Sequence, residues 1–257
     1  MKTTPEAQSL DEALDAFLAE QPKERECETH PGQTCKLSRE LTRLCAGVNG
    51  DGSFSFTGHF SPCPLCERER LLSQGVPPAL VHCAFDNWRP RNDSERQHLE
   101  LVREFARVRR GFLFLLGPVG TGKSHLAVSI MRAFSSALFV RQAQLLRQLR
   151  QHYHNDAVAN PIAGAQGAGL LVLDELGVSS GGRDEQPMLD EILAARYERR
   201  LPTVVTSNLA WNAIAAALGE RLEDRLREST FRVLVFEGGS HRANRRAACF
   251  AGTERGA

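Results

Sequence analysis

Two rhythms of apolar and polar residues run along this chain, and they predict different kinds of structure. From about residue 94 onward, short apolar runs alternate with stretches whose apolar positions recur every three to four residues. That is the pattern of a parallel sheet with crossover helices. Strands are predicted over residues 112–116, 137–140, 170–173, 203–206 and 233–236, and helices over 94–109, 124–134, 143–153, 184–200, 211–218 and 220–228. Residues 163–169, rich in Gly and Ala, read as a flexible loop.

The front of the chain is different. Ser9-Leu10-Asp11-Glu12 has the form of a capping box, and Leu10, Leu14, Phe17 and Leu18 then recur at helical spacing as far as Pro22. This short amphipathic helix either packs on its own domain or docks onto a partner protein. Between Cys27 and Cys66 the texture turns to Cys, His, Gly, Pro and Ser, with too few aliphatic residues to hold a fold by burial. Residues 67–74 are compatible with a helix, which Gly75-Val76-Pro77-Pro78 ends. The organisation expected is an N-terminal module over 1–75, a larger α/β domain over 76–242 and a poorly ordered tail over 243–257.

Composition narrows the function without deciding it. At 257 residues and 42% hydrophobic content the chain can bury a full core. Its net charge of +1 means that any nucleic-acid contact must come from a local patch. No apolar run approaches the roughly 18 residues of a membrane span. The start MKTTPEAQSLDEALDAF is acidic and lacks a signal-peptide core, so a cytoplasmic protein with no membrane partner is expected. Seven cysteines in such a setting point to thiols and metal rather than disulfides.

Cys63-Pro64-Leu65-Cys66 is a CxxC knuckle, and Cys27-Glu28-Thr29-His30 offers a CxxH pair upstream. Three thiols and an imidazole from two separated turns suit tetrahedral Zn2+, which would cross-link a segment too polar to fold alone. Cys35, Cys45 and His59 lie between the pairs and are alternatives to Cys27 and His30. Redox chemistry or inert thiols are the competing readings, and Cys83 and Cys249 read as packing or surface residues.

The strongest chemical signal follows the apolar run 112–116. Gly117-Pro118-Val119-Gly120-Thr121-Gly122-Lys123-Ser124 fits G-x-x-x-x-G-K-[ST], and His125 continues into a helix-like stretch. A strand, a Gly-rich loop and a helix N-terminus let backbone N–H groups converge on the phosphates of ATP. Lys123 would reach the β- and γ-phosphates, and the Ser124 hydroxyl would help to hold Mg2+. About fifty residues on, Leu170-Leu171-Val172-Leu173 ends in Asp174-Glu175. A parallel strand here would bring Asp174 to the ligand-binding edge to hold a water on Mg2+, leaving Glu175 to polarise the attacking water.

Thr203-Val204-Val205-Thr206-Ser207-Asn208 supplies another strand ending in polar groups. Asn208 either senses the γ-phosphate, with Thr206 and Ser207 as lesser candidates, or caps the helix at Trp211. Arg221 and Arg225 lie four residues apart on a predicted helix face. On the residues alone that helix is a solvated face laced with ion pairs. Arg141, Arg147, Arg150, Tyr153, His152 and His154 lie on or near one helix that either tracks single-stranded DNA or merely solvates an outer face. A small-molecule kinase fits less well, because Asp174-Glu175 suits water activation rather than transfer to an acceptor.

GPVGTGKSHLA, LLVLDELG, VVTSNL and LGERLEDRL, in this order and at these intervals, resemble the DnaC/IstB group of AAA+ ATPases, and GVPPALVHCAFDNW is similar to its lead-in. The group includes bacterial and phage helicase loaders. The resemblance covers about residues 76–242 and implies a P-loop NTPase with a five-stranded parallel sheet in order 5-1-4-3-2. It implies ATP hydrolysis with Lys123 and Ser124 in the phosphate loop, Asp174 and Glu175 as the Mg2+ and water residues, and Asn208 as sensor. Arg225 becomes an arginine finger supported by Arg221, acting on a neighbouring subunit's nucleotide in an oligomer or helical filament. The partners implied are a DnaB-like replicative helicase and single-stranded DNA, with an IstB-like transposition helper as the alternative. Some phage-type loaders resemble the cysteine pattern too, although Pro31 and the longer intervening loop depart from it.

Overall fold

The computed structural model describes residues 2–4, 9–37, 47–48, 54–56, 60–61, 63–155, 157, 159–177 and 185–241. Arg242, Cys45, His59, Cys249 and the tail 243–257 lie outside them. Two compact units divide the chain, Met1–Arg70 and Leu71–Ala257.

In the first unit, strand β1 (Lys2–Thr4) is followed by helix α1 (Leu10–Ala19). Ser9 caps α1, its Oγ accepting from the Glu12 N–H at 3.3 Å, and Ala13, Leu14 and Phe17 are buried along one stripe. α1 packs within its own unit against β1 and β5 (Phe54–Phe56), which pairs on its other edge with β4 (Gly47–Val48). A second antiparallel sheet joins β2 (Glu24–Glu26), β3 (Thr34–Leu37) and β6 (Phe60–Ser61). Helix α2 (Pro64–Ser73) follows. Nothing in the apolar pattern predicts β2, since Glu24, Arg25 and Glu26 are all exposed.

The second unit holds α3 (Asp93–Val108), β7 (Phe112–Leu116), α4 (Lys123–Met131), β8 (Ala137–Arg141), α5 (Gln142–His154) and α6 (Pro161–Gly167). β9 (Leu170–Leu176), α7 (Glu185–Glu198), β10 (Thr203–Ser207), α8 (Trp211–Leu218), α9 (Glu220–Ser229) and β11 (Thr230–Val235) complete it. The sheet order is β11-β7-β10-β9-β8 with every pairing parallel, which is 5-1-4-3-2 in order of appearance. Strand alternation sorts the core into two layers. Leu113 and Leu115 face α3 and α4, whereas Phe112, Phe114 and Leu116 share a cluster with α5 to α9.

Residues 163–169, read from sequence as a flexible loop, lie mostly in α6. Asn160 caps that helix, accepting from the Ile162 N–H at 2.9 Å, and Arg196 of α7 seals its far end. The Arg196 side chain is fully buried and donates to the carbonyls of Ala165, Ala168 and Pro202 at 2.8, 2.8 and 2.6 Å. A fixed cation thus takes up C-terminal helix carbonyls that would otherwise be unpaired. β11 also begins before the predicted 233. Among the described residues no helix is long and apolar enough to cross a membrane.

Candidate functional site: a phosphate loop facing a bulged acidic strand

The phosphate loop leaves β7 at Gly117, whose N–H bonds the Ser207 carbonyl at 3.2 Å. Gly117 has φ 131° and its Cα faces the Phe236 carbonyl, so a side chain there would collide with main chain. Gly122, at φ 91°, caps α4. Thr121 is fully buried and straps the loop by donating to the Pro118 carbonyl at 2.9 Å. Lys123 donates to the Gly117 and Pro118 carbonyls at 2.6 and 2.7 Å. Burial pushes its ammonium below the usual lysine range, against the pull of Asp174. A buried cation satisfied by neutral carbonyls is suited to an anionic ligand at the loop.

Across from the loop, the β9–β10 pairing slips. Val205 pairs with Leu173 but Ser207 pairs with Leu176, so Asp174 and Glu175 together oppose Thr206. This is a β-bulge, and Glu175 takes the left-handed conformation with φ 60°. In an unbroken strand successive side chains point to opposite faces. Here the bulge turns both carboxylates toward β8, where Arg141 Nε lies 3.7 Å from Asp174 Oδ2 and 3.4 Å from Glu175 Oε2. The Thr206 hydroxyl holds the bulge, donating to Asp174 Oδ1 at 2.7 Å and accepting from the Glu175 N–H at 3.1 Å. Ser124 Oγ donates to the same Asp174 oxygen at 2.8 Å. Asp174 is buried while Glu175 is half exposed. Two hard oxygen donors, Ser124 and Asp174, therefore meet at the mouth of the loop, the donor type Mg2+ takes.

The lead-in segment is clamped to α4. His125 bonds the Ala84 carbonyl at 2.9 Å, and Arg132 donates to the Cys83 and Val81 carbonyls, both at 2.7 Å. The side chain of His125 is thereby directed at the lead-in rather than at the loop. Trp88, buried, places its indole nitrogen against Gly122. The main chain of His241 donates to the Gly120 carbonyl at 2.8 Å, and its ring lies 5.9 Å from that of Trp88.

A family profile described as IstB-like ATP binding protein matches residues 87–248, more than half of the chain. The chain belongs to the IstB-like ATP binding protein family. The "Replicative helicase loader DnaC" of Buchnera aphidicola subsp. Acyrthosiphon pisum is 29% identical over 186 residues, 68% of this chain and 75% of that protein. A crystal structure of the DnaC helicase loader superposes with a TM-score of 0.57 at 22% identity, covering 63% of this chain and 100% of that one. A crystal structure of DnaI gives 0.55 at 23% identity, over 65% and 94% of the two chains. The fold of this IstB-like protein is that of AAA+ ATPases.

Other predicted residues of the IstB-like domain fall on its surface. Asn208, exposed, follows Ser207 at the end of β10 and does not cap α8, whose N-cap Ala210 makes no side-chain bond. Arg221 is exposed and Arg225 half-buried on α9, flanking the buried Leu222 and Leu226. The expected ion pair on this helix joins Arg227 to Glu223 at 2.7 Å. Arg141 does not join the basic face of α5; it belongs to the acidic bulge. Arg147, Arg150, Tyr153 and His154 remain exposed on α5, opposite the buried Leu145, Leu146 and Leu149. Sequence reading missed Thr206 as the bulge clasp, Arg141 as the carboxylates' counter-ion and Arg132 as the lead-in clamp, because each role depends on register between separate elements.

In the first unit, Cys27, His30, Cys63 and Cys66 converge, their ligand atoms all within 4.8 Å of one another. His30 Nδ1 lies 3.2 Å from Cys66 Sγ, 3.6 Å from Cys63 Sγ and 4.0 Å from Cys27 Sγ, and the Cys27 and Cys66 sulfurs are 3.6 Å apart. A tetrahedral Zn2+ with ordinary bond lengths has S···S edges of about 3.8 Å and S···N edges of about 3.6 Å, so the cluster fits the ion. Burial raises the Cys27 thiol, but N–H groups of His30 and Thr29 outweigh it and bring it down to about 6. Contact with Cys27, together with burial, pushes Cys66 up to about 12. Cys35 is buried beside this group but is not among the four.

Proposed function

We propose that this protein is an ATP-hydrolysing loader of a replicative DNA helicase, assembling into an oligomer or helical filament and gripping single-stranded DNA. The observation that carries the ATPase reading is the bulge. It gathers Ser124, Asp174 and Thr206 at the mouth of the phosphate loop and leaves Glu175 exposed where a water can be polarised. Gly117 to His125 would cradle the triphosphate, with Lys123 exchanging its carbonyl partners for phosphate oxygens. Ser124 and Asp174 would hold Mg2+, which supplies charge neutralisation at the phosphates. Asn208 would report the γ-phosphate, and Arg225, supported by Arg221, would complete the site of an adjacent subunit. Zinc at Cys27, His30, Cys63 and Cys66 would knit the first unit into a module that docks on the helicase.

DNA binding rests on α5, whose solvent face carries Arg147, Arg150, His154 and Tyr153 with no acidic residue in the helix. The helicase partner rests on the curated relative named as a replicative helicase loader. The IstB-like description of the family favours a second reading, a transposition helper; the zinc-fitting cluster weighs against it. Phosphate release by the wild-type chain and by Glu175→Gln tests the ATPase reading. Turnover is expected in the first and a drop of about 100-fold in the second; equal turnover overturns it.

A further inference from the structure

We infer that Glu69 is a positioning residue of the zinc centre, holding His30 so that Nδ1 and not Nε2 faces the three thiols. This rests on the zinc reading above. The two nitrogens of His30 are used on opposite sides of the ring. Nδ1 faces Cys66 and Cys63 at 3.2 and 3.6 Å, while Nε2 lies 3.2 Å from Glu69 Oε1. A neutral imidazole that ligates through one nitrogen carries its hydrogen on the other, and a carboxylate accepting that hydrogen fixes both tautomer and ring orientation.

The local sequence explains the placement. Cys66 and Glu69 are three residues apart on α2, and so share a helix face. One face therefore delivers a sulfur ligand and the carboxylate behind the imidazole. The neighbouring acid, Glu67, is paired with Arg70 at 3.4 Å. Glu69 has its side chain 60% exposed and takes His30 as its partner, so it can be changed without opening a core. Three thiolates and a neutral imidazole leave a zinc centre with net charge −1, and a further carboxylate beside it is repelled unless an N–H draws it in. Cys63, Cys66 and Glu69, at intervals of three, thus form one functional string.

The test uses the full chain with Glu69→Ala and, as the variant that keeps an accepting oxygen, Glu69→Gln. Zinc content is measured after dialysis, zinc affinity by competition with a chromophoric chelator, and the His30 ring by nitrogen–proton correlation NMR. The wild type is expected to hold stoichiometric zinc with a protected Nε2–H signal. Glu69→Ala should bind zinc about 10–100-fold more weakly and lose that protection, with Glu69→Gln in between. Wild-type affinity and an unchanged Nε2–H signal in Glu69→Ala would overturn the inference and leave the zinc reading standing. A wild-type chain that takes up no zinc would overturn both.

Discussion

The Ser124 hydroxyl donates to Asp174 Oδ1 at 2.8 Å, joining the first turn of α4 to the end of β9 across fifty residues of sequence. Thr206 donates to the same oxygen at 2.7 Å, so one buried carboxylate ties together three elements of the site. Asp174→Asn keeps the shape but removes the charge that a magnesium nucleotide needs. ATP turnover should fall by about 100-fold or more. Metal-free nucleotide binding should stay within about threefold of wild type, as read by titration with a fluorescent analogue.

Arg141 holds the other carboxylate. Its Nε lies 3.4 Å from Glu175 Oε2, and the same residue begins the turn into α5. A guanidinium at that distance competes with a water molecule for the half-exposed carboxylate. Arg141→Ala should therefore raise basal kcat by about 3–10-fold with KM little changed, and Arg141→Lys should restore the lower rate. Steady-state phosphate release measures both.

What the chain disclosed as sequence, and what it withheld, follows from the range of the interactions. Strands β7, β9 and β10 are buried on both faces, so they read as unbroken apolar runs, and the residues ending them are easily found. The bulge is invisible in sequence because it exists only where Thr206 meets Asp174 and Glu175 across two strands. Arg141 looked like one more cation of a basic helix until the register placed it opposite Asp174. In the first unit, spacing left Cys35, Cys45 and His59 open as ligands. Among the described residues, convergence of Cys63 and Cys66 on His30, thirty-odd residues away, brings Cys27 and not Cys35 into the group of four, while Cys45 and His59 lie outside those residues. The wholly polar strand β2, Glu24–Glu26, carries no alternation to read.

Nothing in the sequence marks Arg196 as buried, yet its side chain is fully enclosed. The guanidinium donates to the carbonyls of Ala165 and Ala168 at the end of α6, to the Pro202 carbonyl just before β10, and to Thr203 Oγ1 at 2.8 Å. Burial lowers its pKa to about 10, still charged at neutral pH. Arg196→Met strands those acceptors and should destabilise the second unit by about 3–5 kcal/mol. Urea unfolding followed by tryptophan fluorescence measures it.

Acid should weaken the second unit in a defined window. Burial lowers the pKa of His98 below 6.5, Glu95 opposing only in part, and burial with Arg91 lowers that of His241. In the unfolded chain both titrate near 6.5. Stability is therefore level above that value and falls as the pH drops below it, because the unfolded state takes up protons first. Glu95 adds a later loss. Burial alone would raise its pKa, but Arg91 holds it below the usual carboxylate value of 4.5, so its contribution disappears only as the pH falls through that lowered value. Urea midpoints from pH 7.5 to 5.5 should decline, and His98→Gln should shrink the decline.

Under the proposed function, ATP at this site governs attachment to a replicative helicase. The most direct measurement is recovery of the full chain from its own cells, with and without ATP, and identification of what comes with it, for the wild type and for Glu175→Gln. The replicative helicase is expected in the complex, retained more firmly by Glu175→Gln in ATP than by the wild type. Recovery of a transposase with no helicase under any of these conditions would contradict it.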